Sequence, residues 1–97
     1  MGKKNHTYEF ENELEGFIFK APSRRKGKKY DVFDGNTEKY ITSFGSKNHQ
    51  QFFDRIGYYS NKDHKDMNRL SSYYKRHGLE FTPRSPKFFS HFYLWVL

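Results

Sequence analysis

Asp31, Asp34 and Glu38 are the carboxylates close enough in sequence to share a Mg²⁺ ion, as metal-dependent nucleases require. Asp34-Gly35-Asn36 is also a strong turn signal, and turn chemistry accounts for two of those positions without a metal. Five histidines follow: His6, His49, His64, His77 and His91. No pair has the HxxxH or HxxH spacing of a zinc site. Asp63-His64-Lys65-Asp66 reads as the first turn of a helix rather than as a ligand set. The chain has no cysteine, so it has neither a thiolate ligand nor a thiol nucleophile. GxSxG, P-loop and GxGxxG patterns are missing as well. These residues predict no catalytic constellation, no metal and no cofactor.

The basic residues carry the signal instead. Ser23-Arg24-Arg25-Lys26-Gly27-Lys28-Lys29 packs five positive charges into seven residues. It joins two strand candidates, which predicts a hairpin tip that can bridge phosphates. Lys62, Lys65, Arg69 and Arg76 recur at helical steps and predict a second patch along one helix face. Mobile Lys and Arg side chains position a nucleic-acid backbone without reading bases. Tyr58-Tyr59 and Tyr73-Tyr74 are candidates for stacking on unpaired bases, although the core has a competing claim on them.

The elements that position these groups follow from composition and periodicity. Of 97 residues, eleven are Phe, eight Tyr and one Trp, against three Ile, five Leu and two Val. The core must therefore be aromatic, since one buried ring removes roughly 150–250 Å² from water. The net charge is +7, distributed unevenly. Residues 1–22 hold three Lys and four Glu, while residues 23–97 hold fifteen basic and seven acidic residues. Glu9, Glu11, Glu13 and Glu15 alternate with Phe10, Asn12 and Leu14, which suits an acidic arm or edge strand over 1–14. Residues 1–7 are expected to fray.

Residues 16–21, 28–33 and 38–44 predict a three-stranded antiparallel meander. On the last strand, Lys39, Ile41 and Ser43 share one face, with Tyr40, Thr42 and Phe44 on the other. Phe52, Phe53 and Ile56 place a short helix over 49–56, stopped by Gly57. Asp63 starts a longer helix that ends at Gly78. Ser85-Pro86 opens a terminal segment, either a short helix or a strand. The fold class is α+β: a single basic domain over 15–97, a three-stranded meander followed by two or three helices, with an aromatic-rich core.

Several strings carry a resemblance. They are Lys28-Lys29-Tyr30-Asp31-Val32, Ser43-Phe44-Gly45, Asp54 through Ser60, and Asp63-His64-Lys65-Asp66 with Arg69. They continue with Tyr74-Lys75-Arg76-His77-Gly78, and with Ser85 through His91 followed by Tyr93-Leu94-Trp95. In this order they resemble a family of small basic proteins of unknown function from nucleocytoplasmic large DNA viruses, the giant-virus group that includes marseilleviruses. The resemblance spans about residues 15–97 and attaches no catalytic role to any of them. Where that family has two adjacent basic residues in its long helix, this chain has Asn68-Arg69. The resemblance implies a viral protein packaged in the particle, found in the virion or in the host cytoplasm and viral factory.

Charge and resemblance together predict a non-enzymatic protein that binds nucleic acid, DNA rather than RNA, through phosphate contacts during genome packaging. The residues expected to do this are Arg24, Arg25, Lys26, Lys28, Lys29, Lys62, Lys65, Arg69 and Arg76. The alternative is a minor structural or protein-interaction component of the particle, meeting an acidic protein surface or forming a homodimer through the arm. The apolar stretch Phe88–Leu97 is about half the length of a membrane span, so no membrane partner is expected. With no cysteine and no apolar run near the N-terminus, neither disulfides nor secretion is expected.

Overall fold

A computed structural model describes residues 6–96. Most of the expected frayed segment, residues 1–5, lies outside the described residues. His6 is held: its imidazole Nε2 is 2.6 Å from the carbonyl of Pro22.

The chain opens with four antiparallel strands in sequence order: β1 (Phe10–Leu14), β2 (Phe17–Ala21), β3 (Lys28–Asp34) and β4 (Tyr40–Ser46). The sheet thus has one strand more than the three-stranded meander expected. The acidic segment supplies it, pairing Phe10 with Ala21 through Leu14 with Phe17. Its alternation works as a half-buried strand should. Phe10 and Leu14 pack against the core, while Glu11 and Glu13 stay exposed at the edge of the sheet. The β1–β2 connection is a two-residue turn with both residues at positive φ, Glu15 at 54° and Gly16 at 87°. That conformation matches the twist of a tight hairpin.

A bulge between Val32 and Phe33 changes how β4 presents its side chains. Val32 pairs with Thr42 but Phe33 pairs with Tyr40, so Ile41 is the extra residue. Tyr40 therefore shares a face with Ser43, and its hydroxyl lies 2.7 Å from Ser43 Oγ. Strict alternation had put these two on opposite faces.

One face of the sheet packs on the terminal helix and on Ile56 and Tyr59 through Phe19, Tyr30, Val32 and Phe44, all fully buried. Phe19 is the hub. Its ring lies between 4.6 and 6.4 Å from those of Phe17, Tyr30, Phe44, Phe89 and Tyr93. The core is aromatic-rich, as the shortage of aliphatics requires. On the other face Asp31 is buried, accepting from Tyr8, Ser23 and Ser43 hydroxyls and from the Arg24 N–H.

Two α-helices follow, α1 (Met67–His77) and α2 (Pro86–Leu94), with a 3₁₀ turn over Ser60–Lys62 before them. The terminal segment is a helix, capped by Ser85, whose hydroxyl accepts from the Phe88 N–H. Helix α1 begins one turn later than the Asp63 start expected. Asp66 is its cap, accepting from the Asn68 and Arg69 N–H groups. Asp63 is engaged elsewhere: its carboxylate accepts from Gln51 Nε2 at 2.6 Å and from the Asp54 N–H at 2.8 Å. Lys65, at φ 54°, interrupts any continuation.

The helix expected over 49–56 is replaced by an extended connector. The Asp54 carboxylate accepts from the Ile56 and Gly57 N–H groups, a local turn that competes with helical pairing. The connector's own N–H groups go to carbonyls at the end of α2, Phe53 to Leu94 and Arg55 to Tyr93. Those carbonyls have no partner within the helix, so the connector works as its C-terminal cap. Asp54 is buried and also accepts from the Tyr30 hydroxyl at 2.5 Å and the Tyr59 N–H at 2.9 Å.

Candidate anion-binding cleft

The start of β3, the end of β4 and both helices enclose a cleft of about 720 Å³. Five cations line it: Lys28 and Lys29 from β3, Arg69 and Arg76 from α1, and Lys87 from α2. His49 and His77 add two imidazoles, and Ser46, Gln50, Ser72 and Ser90 add neutral hydrogen-bonding groups. No Asp or Glu is among the lining residues. The ion pairs of the described residues are Lys20–Glu11, Arg55–Glu15 and Arg84–Asp34, none of which involves the cleft. Like charges brought together without counterions destabilise a fold, and an anion in the cleft removes that penalty.

The elements explain how each cation arrives. Lys28 pairs with Ser46 at the end of the β3–β4 ladder, which puts both at the mouth. Arg69 and Arg76 are seven residues apart, two helical turns along one side of α1. Arg69 Nη1 donates to Gln50 Oε1 at 2.8 Å and keeps its charge unpaired. Arg76 and His77 sit in the last turn of α1, where the helix dipole favours positive charge. Lys87 occupies the first turn of α2, where the dipole disfavours it. Its Nζ donates to the carbonyl of His77 at 2.5 Å, tying α2 to the end of α1.

Lys29 differs from the rest. It is 1% exposed, and its Nζ donates to the carbonyl of His49 at 2.8 Å and to Gln51 Oε1. Burial pulls its pKa down from 10.5 to about 8, an effect that Asp54 partly offsets. It braces the wall of the cleft rather than reaching out of it.

The two patches read from sequence are thus redistributed. Lys28 and Lys29 join Arg69 and Arg76 in one cleft. Arg24, Arg25 and Lys26 form an exposed hairpin tip that is not part of its lining. Arg25 folds back over Tyr40, with its guanidinium 5.6 Å from the ring centre and Nε 3.0 Å from the hydroxyl. Lys62 and Lys65 precede α1, so the four-residue helical stripe does not exist. Lys62 is in the 3₁₀ turn, and the Lys65 ammonium lies 5.6 Å from the Phe53 ring centre.

The aromatic candidates are mostly engaged. Tyr59 and Tyr73 are buried; Tyr58 donates to Glu9, and Tyr74 to the carbonyl of Trp95. Tyr73 and Trp95 stack in parallel with centroids 4.3 Å apart. His77 meets Tyr73 at 4.5 Å with its ring tilted by 38°, and His64 lies 5.4 Å from Trp95, tilted by 57°, so the four rings form a row. His77 is exposed at the cleft end of this row.

Two of the three carboxylates weighed as a metal site are also occupied, and the third, Glu38, stands exposed. Asp31 takes the four hydrogen bonds described above. Asp34 accepts from Asn36 and Thr37 N–H groups and pairs with Arg84 at 2.7 Å, which holds its pKa down at about 2. Among the described residues no group of three His, Asp or Glu side chains is placed to hold a metal ion. No helix among them is long and apolar enough to cross a membrane.

Sequence reasoning missed Lys87, His49 and the serines. Lys87 had a signal, because a cation in the first turn of a helix opposes the dipole and asks for a reason. The serines had none. Comparison with protein families, curated proteins and solved structures gave no match.

Proposed function

We propose that this protein binds nucleic acid through phosphate contacts, with the cleft as its principal contact surface and the Arg24–Lys26 tip as an accessory. The observation that carries this reading is the composition of the cleft: five cations from three elements and no carboxylate. Chance placement of surface charge would mix signs, because the chain holds eleven acidic residues to eighteen basic ones. No catalytic group is needed for this activity. The resemblance to giant-virus proteins adds a setting, in which the protein helps condense a genome inside the particle.

The test is fluorescence anisotropy with a labelled DNA of about 20 nucleotides across a salt series. With a single strand, four accessible cleft cations contribute a log–log salt slope of about −2.8, a loss of roughly 50-fold between about 50 and 200 mM salt. Arg69→Ala with Arg76→Ala reduces the magnitude of that slope by about 1.4, whatever the sequence of the DNA. Affinity that is flat with salt, or unaffected by the double substitution, refutes the assignment.

A further inference from the structure

We infer that the cleft seats an unpaired stretch of nucleic acid, a strand end or single-stranded segment, and excludes the intact duplex. The inference rests on the proposal that the ligand is nucleic acid, and narrows it to one form.

Shape is the first argument. Proteins that grip a duplex push a helix or ribbon outward into a major groove about 12 Å wide. Here Arg69, Arg76 and Lys87 line the walls of a concavity. A paired double strand cannot enter a recess of about 720 Å³, whereas roughly one or two nucleotides fill it.

Chemistry is the second. A cleft built only for backbone phosphates needs donors alone, charged or neutral, because phosphate oxygens only accept. This one also offers the hydroxyls of Ser46, Ser72 and Ser90 and the amide of Gln50. Hydroxyls and amides that can accept as well as donate suit Watson–Crick base edges, which pairing hides in a duplex. Exposed His77 lies in the same cleft, tilted by 38° against Tyr73, and an unpaired base has a free π-face to pack on its ring. The Arg24–Lys26 tip is exposed and outside the cleft, so it can touch phosphates of either form.

The experiment compares three fluorescent ligands of equal length: a single strand, a blunt duplex, and a duplex with a single-stranded overhang. Single strand and overhang bind about tenfold tighter than the blunt duplex, the scale of one stacked base. Ser72→Trp, at an exposed cleft-lining position of α1, fills the recess without removing charge. It abolishes the preference by lowering affinity for the single strand and for the overhang. Arg76→Glu provides a second variant with the same expected loss, and far-ultraviolet circular dichroism with urea midpoints checks that both retain the fold. Equal affinity for strand and duplex overturns the inference but leaves nucleic-acid binding standing. So does a Ser72→Trp protein that retains the preference. Failure to bind any of the three ligands overturns both readings.

Discussion

Replacing Lys29 with Met tests whether the wall of the cleft is built as described. Lys29 is buried with its ammonium on Gln51 and the His49 carbonyl, and no ion pair of the described residues includes it. Its pKa is drawn from 10.5 to about 8, chiefly by burial, with Asp54 opposing and Lys62 adding to the effect. Below about pH 8 both folded and unfolded chains carry the charge, and folding bears the full cost of burying it. Between about 8 and 10.5 the folded protein has released a proton that the unfolded chain still holds. Stability contributed by this group therefore rises with pH across that window, by up to about 1.4 kcal/mol per pH unit. From about pH 7 to pH 10 the gain is about 2–3 kcal/mol.

Tyrosine ionisation acts in the opposite direction. Tyr8, Tyr30 and Tyr93 have raised pKa values, so above about pH 10 the unfolded chain loses protons that the folded one keeps. The comparison with Lys29→Met, which has similar length and no charge, cancels that contribution. Urea midpoints of both proteins at about pH 7, 8.5 and 10 supply the measurement. The wild type should gain on the variant steadily as pH rises. A difference that stays constant from pH 7 to 10 would show that Lys29 is not held in a desolvating site.

Two further substitutions probe the frame around the cleft. Asp54→Ala strips the acceptor from the Tyr30 hydroxyl and from three backbone N–H groups, those of Ile56, Gly57 and Tyr59. The expected cost is about 3–5 kcal/mol by urea unfolding, and a loss below about 1 kcal/mol would show that water replaces the carboxylate. At Gly35 an added Cβ would lie 2.6 Å from the carbonyl oxygen of Gly16, which itself accepts from the Gly35 N–H at 2.8 Å. Gly35→Ala should cost about 1–3 kcal/mol and lower the thermal midpoint, whereas an unchanged midpoint would mean the two turns can part freely.

Local signals were legible where they are decided locally. The Asp34-Gly35-Asn36 turn, the Ser85-Pro86 helix start and Gly78 after α1 fall where turn and capping chemistry put them. The aromatic core follows from composition. The failures share a cause, which is competition from a distant partner. Phe52, Phe53 and Ile56 have helical spacing, but Asp54 turns the chain and α2 takes its N–H groups. Asp63 has the right residue type for a cap, yet Gln51 and the Asp54 N–H claim its carboxylate. Lys29 stands in a basic run that looks solvated, while the connector folds over it. The merging of Lys28 with Arg69 and Arg76 depends on α2 packing on β4 and on α1 being held to α2's end through Tyr73–Trp95 and Lys87–His77, and spacing along the chain carries no trace of that.

Trp95 gives the molecule an optical reporter of its own. It is the sole tryptophan, it lines the cleft, and it lies parallel to Tyr73 at 4.3 Å. Its emission therefore comes from one site, free of background from a second indole. A ligand that disturbs the His77 end of the row of rings changes the polarity and quenching felt by the indole. Protonation of His64, 5.4 Å from the indole, does the same from the other end. Occupancy of the cleft can thus be followed by intrinsic fluorescence in unlabelled protein, on the millisecond scale of a mixing experiment.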